Sequence, residues 1–402
     1  MQHLEGNLGA ATSPLEARHR ASRLNNRFHG GSGDFADYIN AMRDMIARVR
    51  SGEDAVQLQK TIAGNTPFEL TPSPGFARGQ HKLYRRGVLL IHGLTDSPYS
   101  MRHLAELFRR NGFRVLALLL PGHGTRPGDL LDVTWQEWAK SVAYATEQLA
   151  LEADEIYLAG YSAGAALAIH HSLDDSRVRG LFMFSPALDI THRAAWARVH
   201  KIYSWLAPKA CWVSIKPDRD PYKYESFPKN AAAQLFALCQ VVRHQLHDRT
   251  LNLPIFTAAS LDDSTVIASA TLQFMAAAPH ALNHLVLYTT DPATPVPGMA
   301  AEQVELIDSR VPAQRILSSA HTALVQPPED EHYGAHGEYC NCLHYYPDNM
   351  AQYHACWEHT GEVWLGEVTE QNLAAGTLRR LTYNPHYAEL IAALQRFIER
   401  LP

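Results

Sequence analysis

Residues 155–170 read EIYLAGYSAGAALAIH, and the fold follows from how this stretch changes character at its middle. IYLA is a short apolar run of the kind that forms a buried strand. SAGAALAIHHSL carries helix formers at nearly every position. Ser162 therefore falls on the turn between a strand and a helix. Gly160 and Gly164 leave room for that turn to be sharp, with the serine in a strained conformation and its hydroxyl pushed outward at the carboxyl end of a sheet. Such a setting suits a nucleophile. G-x-S-x-G also arises by chance in chains of this length, so the sequence on either side decides.

Outward from Ser162, strands and helices take turns. VLLI at 88–91 predicts a strand, SPYSMRHLAELFRRNG a helix, FRVLALLL a strand, and TWQEWAKSVAYATEQLAL a helix leading into EIYLAG. GLFMFS follows the serine helix. PIFTAAS at 254–260, STVIASATLQFMAAA, HLVLYTT and RILSSA continue the alternation, and PHYAELIAALQRFIERL closes it with a helix whose apolar face runs from Tyr387 to Leu401. This rhythm predicts an α/β fold: a mostly parallel central sheet flanked by helices. Residues 187–250 interrupt it with a mostly helical segment holding Trp196, Tyr203, Trp205, Leu206 and Trp212. Residues 1–80 read as an amino-terminal extension. Within it Phe35, Tyr38, Ile39, Met42, Ile46 and Val49 recur at helical spacing behind Asp34, a plausible N-cap. That polar face mixes acids with arginines, which points to docking on the main domain rather than to lying on a membrane. The core then comprises 81–186 and 251–402, with 326–383 inserted.

The composition narrows the partners. The 402 residues carry a formal charge of -5 spread without a basic stripe or acidic tail, so neither nucleic acid nor an anionic membrane is implied. The longest apolar runs, such as VLALLL, fall far short of the roughly 20 residues that span a bilayer. The first 30 residues have no apolar core of the secretory type, which gives a cytoplasmic expectation. The five cysteines, an odd number, do not read as a full disulfide framework.

A serine hydroxyl is a weak nucleophile. It needs a histidine to take its proton and a carboxylate to hold that histidine in the right tautomer. Two further strand ends supply candidates: ILSSAHTAL places His321 straight after a strand, and AASLDDSTV places Asp262 and Asp263 straight after another. His284 precedes its strand and would point to the wrong end of the sheet, while His332 and His336 lie several residues beyond theirs. Between the acid and His321 there are two strand-like runs, and the proline-bearing residues 291–312 read as an inserted excursion. The chain order is Ser, Asp, His.

GVLLIHGLTDSPYSMRHLAELFRRNGFRV, LLLPGHGTRPGDLLDVTWQEW and GYSAG together resemble the α/β-hydrolase superfamily, most closely its bacterial carboxylesterases and monoacylglycerol lipases, over residues 85 to about 325. The resemblance implies an α/β-hydrolase fold and an oxyanion hole built from the backbone amides of Leu94 and Ala163. It implies Asp263 as the acid, since the family spacing puts Ser260 at the loop position and Val266 at the docking site. Asp262 is then free to cap a helix beginning near Ser264. His92 and His123 read as loop-holding residues. The implied activity is hydrolysis of small to medium-chain carboxylic esters by Ser162, His321 and Asp263, with no metal and no organic cofactor. Alternatives on the same fold are an acyltransferase, a thioesterase or a binding protein without turnover.

Two segments carry secondary expectations. Cys340, Cys342, His344, His354, Cys356 and His359 invite a zinc site, but the pair is C-N-C rather than a C-x2-C knuckle. Free packed thiols are the reading favoured over a Cys342–Cys356 disulfide. The insertion starts at the active-site end of the sheet and should wall one side of the cleft. The resemblance also implies that residues 187–250, inserted after the strand that follows the serine helix, sit over the active site as a cap, whose tryptophans suggest either an apolar acyl pocket or simple packing of the cap on the core.

Overall fold

The computed structural model describes residues 14–25, 33–76, 78–190, 208–358 and 360–402. Its centre is an eight-stranded sheet in the order β1-β3-β2-β4-β5-β8-β9-β10. The strands are β1 (Phe68–Leu70), β2 (Tyr84–Ile91), β3 (Phe113–Ala117), β4 (Ala153–Tyr161), β5 (Val178–Phe184), β8 (Ile255–Ser260), β9 (His284–Thr289) and β10 (Val304–Asp308); β6 (Trp212–Ser214) and β7 (Phe227–Pro228) pair separately. Only β1 is antiparallel to its neighbour in the large sheet. This is the α/β-hydrolase fold.

The continuous apolar runs of the central strands exist because helices cover both faces. Along β2, Leu89 and Ile91 join one core with Trp138, Val142 and Leu149 of the 135–152 helix and with the 163–174 helix. Val88 and Leu90 join the other, with Leu104 and Phe108 of the 102–110 helix and Leu390, Leu394 and Phe397 of the 387–400 helix. Side chains alternate across a strand, so each sequence run feeds two layers.

The amino-terminal extension is tied into this body. Asp34 caps the helix Phe35–Val49 by accepting from the amide of Asp37 at 2.9 Å. Tyr38 donates its hydroxyl to the Leu119 carbonyl at 2.7 Å. β1 pairs with β3, so the sheet already begins inside residues 1–80.

Three expectations are corrected. The last parallel strand is VELID at 304–308, inside the presumed excursion, and RILSSA forms only isolated bridges of Ile316 to Val311 and Leu365. An edge strand needs no continuous apolar run, and β10 is half-buried with Glu305 paired to Arg396 and His284. The helix after β8 begins at Ala268, not near Ser264, because Asp263 first folds the chain into a turn by accepting from the amides of Thr265 and Val266. Cys342 and Cys356 are joined in a disulfide rather than free, while Cys211, Cys239 and Cys340 are thiols. The helix Met350–Trp357 folds back so that the two α-carbons lie 6.1 Å apart, within bridging reach.

Of the segment expected to form a cap, Trp196, Tyr203, Trp205 and Leu206 lie outside the described residues, as does His359 of the insertion. The helix Lys229–Asp248 packs Leu238, Cys239 and Val242 into the core beside the 163–174 helix. In the insertion, β11 (Val363–Gly366) and β12 (Thr377–Arg380) form a parallel pair.

Candidate active site

Ser162 sits between β4 and the helix Ala163–Asp174 with φ 54° and ψ -114°, a region that costs a non-glycine residue of order 1–3 kcal/mol. Its amide donates to the Phe184 carbonyl at 2.9 Å, and its carbonyl accepts from the amides of Ala165 and Ala187. Both glycines of the turn are required. A Cβ on Gly164 would stand 2.1 Å from the Ile91 carbonyl oxygen, and one on Gly160 would stand 2.4 Å from the backbone of Gly164 and Ala165.

The strained turn aims the hydroxyl at His321. His321 Nε2 lies 3.0 Å from Ser162 Oγ, and His321 Nδ1 lies 2.6 Å from Asp263 Oδ2. All of this is nearly buried. The other oxygen of Asp263 accepts from the amides of Thr265 at 2.7 Å and Val266 at 3.0 Å. Burial pushes the Asp263 carboxyl up, but the facing imidazole and these hydrogen bonds outweigh it and hold it below the usual carboxylate range. Such a line can pass a proton from serine to imidazole while the carboxylate fixes the tautomer.

Asp262 does not cap a helix. Its oxygens accept from Thr290 Oγ1 at 3.1 Å and Ser309 Oγ at 2.5 Å, joining the carboxyl ends of β9 and β10. Of the other histidines considered, His284 pairs with Glu305, His332 with Asp220, and His336 is exposed. His92 and His123 act as acceptors: the Leu120 amide donates to His92 Nε2 at 3.0 Å and the Thr95 amide to His123 Nε2 at 3.1 Å. Burial pushes His92 well below the usual imidazole range and His123 down to about 4, as neutral acceptors require. They fix the loop bearing Leu94, while Ala163 opens the 163–174 helix, where amides lack intrahelical partners.

Ser162 and His321 open onto a cavity of about 600 Å³. Leu94, Ile190, Phe227, Ala232, Leu235 and Val266 form its apolar wall. Lys216, Glu225, Asn341, His344, Glu367 and Arg380 line its polar side, so the insertion supplies much of one wall. Trp212 is not among the lining residues; it is buried edge-on against His19 at 5.1 Å. Among the described residues no three His, Cys, Asp or Glu side chains are grouped to hold a metal ion, and no helix is long and apolar enough to cross a membrane.

Sequence reading missed the supports of His321. Its amide donates to Glu367 Oε2 at 3.1 Å, and its carbonyl accepts from the Tyr161 hydroxyl at 2.9 Å. Tyr161 lies inside the quoted motif and could have been weighed; Glu367 is 46 residues away, in sequence without any recognisable pattern.

Glu225, on the polar wall, accepts from Tyr339 Oη at 2.8 Å and the Arg219 amide at 3.1 Å. Burial, with Asp220 nearby, pushes its carboxyl up to about 7. A raised carboxyl binds its proton in the folded state where the unfolded chain has lost it. Stability then falls as pH rises from the unfolded value to about 7, by roughly 3 kcal/mol for a shift of this size. Glu225→Gln is expected to raise the melting temperature at pH 8 and to leave it near wild type at pH 4, read from thermal melts.

The family model described as Serine aminopeptidase, S33 matches residues 84–290, about half of the chain. A 109-residue stretch is 35% identical to the thermostable monoacylglycerol lipase of Bacillus sp. (strain H-257), covering 27% of this chain and 44% of that protein. A 101-residue stretch is 31% identical to the carboxylesterase of Bacillus subtilis (strain 168), covering 25% and 39%. The chain thus spans less than half the length of these curated relatives. The crystal structure of Paleococcus ferrophilus monoacylglycerol lipase is 18% identical and covers 56% of this chain and 88% of its own, with a TM-score of 0.43.

Proposed function

The chain belongs to the Serine aminopeptidase, S33 family, and from that membership we propose that it is a serine hydrolase cleaving small to medium-chain carboxylic esters through an acyl-enzyme. The observation that carries this reading is the hydrogen-bonded line Asp263–His321–Ser162, at 2.6 and 3.0 Å, opening onto a cavity. The two curated relatives, a lipase and a carboxylesterase, favour esters over peptides. A volume of about 600 Å³ suits a substrate of modest size.

In this reading His321 Nε2 takes the proton from Ser162 as Oγ attacks the ester carbonyl. The amides of Leu94 and Ala163 receive the negative charge on the former carbonyl oxygen, each worth roughly 3 kcal/mol in a dry site. The C–O bond to the alcohol breaks, and His321 returns the proton to the leaving oxygen. Water then attacks the acyl-serine, losing its proton to His321, and the acid is released with Ser162 restored. Asp263 stays ionised and stabilises the imidazolium.

A panel of p-nitrophenyl esters graded from acetate to palmitate tests the proposal. Turnover is expected to peak among the short and medium acyl chains. A fluorophosphonate is expected to modify Ser162 and no other serine, as read by peptide mass mapping. Absence of both turnover and labelling would overturn the assignment.

A further inference from the structure

His321 lacks the support that a sheet strand gives Ser162 and Asp263. β10 ends at Asp308, and among the described residues 309–320 form no strand of the large sheet, their strand-like pairing being the isolated bridges of Ile316 to Val311 and Leu365. The insertion supplies the missing frame. The Leu317 amide donates to the Leu365 carbonyl at 2.8 Å, and the Leu365 amide to the Arg315 carbonyl at 2.9 Å, so β11 runs beside the base-bearing segment. Parallel pairing of β11 with β12 sets Gly366 beside Arg380, which brings Glu367, the next residue, against the arginine.

The carboxylate of Glu367 is fully buried and engaged on both oxygens. Oε2 accepts from the His321 amide at 3.1 Å and from Arg380 Nη2 at 2.9 Å; Oε1 accepts from the Val368 amide at 2.8 Å and faces Arg380 Nε at 2.8 Å. Arg380 Nη2 also donates to Thr265 Oγ1 at 2.7 Å. Thr265 is two residues past Asp263, and its amide holds the Asp263 carboxylate. An unbroken chain of contacts therefore runs from the backbone of the base to the turn that carries the acid.

We propose that Glu367 and Arg380 are positioning residues, a buried ion pair that clamps the His321 segment to the Asp263 turn and so sets the Asp263–His321–Ser162 alignment. The proposal rests on the ester-hydrolase reading for its kinetic consequence. Buried ion pairs contribute little net stability compared with apolar packing, so the use of this one lies in its geometry. The opposing view makes it a mere anchor for the insertion. The two differ in what they predict for turnover, because a misplacement of about 1 Å in a reacting group costs on the order of 100-fold in rate.

The test is the double variant Glu367→Gln/Arg380→Met, which removes both charges and leaves no lone buried ion, together with Thr265→Val, which removes only the exposed end of the clamp. Each is assayed with p-nitrophenyl butyrate, and each is examined without substrate by proton NMR. The Nδ1 proton of His321 in its hydrogen bond to Asp263 should give a downfield signal that His321→Ala lacks. For the double variant, kcat is expected to fall by about 100-fold with KM little changed, and the signal to broaden or vanish while the melt stays cooperative. Thr265→Val is expected to lose several-fold in kcat by the same route. A folded double variant that keeps the signal, with kcat within about twofold of wild type, would overturn the proposal. Should that variant not fold, wild-type kcat and signal in Thr265→Val would do so. A wild type inert toward every ester would instead defeat the functional reading, and the NMR signal, which needs no substrate, would still test the clamp.

Discussion

Ser162→Ala is expected to lower ester turnover by about 10⁶-fold, the loss found when a serine nucleophile is removed from a hydrogen-bonded triad. The residual rate would come from binding and from the amides that meet the developing charge. The fold should survive, because the hydroxyl has His321 as its partner and losing one such bond costs about 1 kcal/mol. The strain at φ 54° is carried by the backbone and is similar for alanine and serine. Steady-state kinetics beside a thermal melt separate the two effects. Normal turnover in a folded Ser162→Ala protein would place the chemistry elsewhere.

The sequence was most legible where one residue type answers one physical demand. The change from IYLA to SAGAALAIH placed Ser162 on its turn because both glycines stand where a Cβ would strike backbone. The central strands were equally visible, since burial on both faces demands unbroken apolar runs. Legibility failed at the edges. β10 is half-buried and reads VELID, so nothing in its composition separates it from a loop. RILSSA is apolar enough for a strand, yet its partner is Leu365 of the insertion rather than the sheet. His321 follows an apolar run that reads as a sheet strand, whereas in the structure its segment leans on β11. Glu367 and Arg380 were not legible at all: nothing in their 13-residue spacing marks them as a pair, and the groups they hold, the His321 amide and the Thr265 hydroxyl, lie across 46 and 115 residues of chain.

Asp263→Asn and Asp262→Asn should part sharply although the residues are adjacent. Asp263 accepts from two amides through Oδ1 and faces His321 Nδ1 through Oδ2. In Asp263→Asn the carbonyl oxygen can keep the two amides, which leaves the NH₂ group pointing at the imidazole. Nδ1 must then accept, the proton moves to Nε2, and the ring presents a donor to Ser162 where a base is needed. Turnover is expected to fall by about 10⁴-fold. Asp262 has no contact with His321; it ties Thr290 and Ser309 across the ends of β9 and β10, and burial raises its carboxyl. The Thr290 and Ser309 hydroxyls rotate to accept as readily as they donate, and the asparagine carbonyl oxygen can still accept from the backbone amides of Thr290 and Ser319 that also hold the carboxylate. Asp262→Asn should therefore keep most of its turnover and shift stability by no more than about 1 kcal/mol. Comparison of kcat for the two variants, with denaturant unfolding as the control, decides the matter. If Asp262→Asn proves the inactive one, the acid has been assigned one residue out of register, and the 2.6 Å contact between Asp263 and His321 is not the one that orients the base.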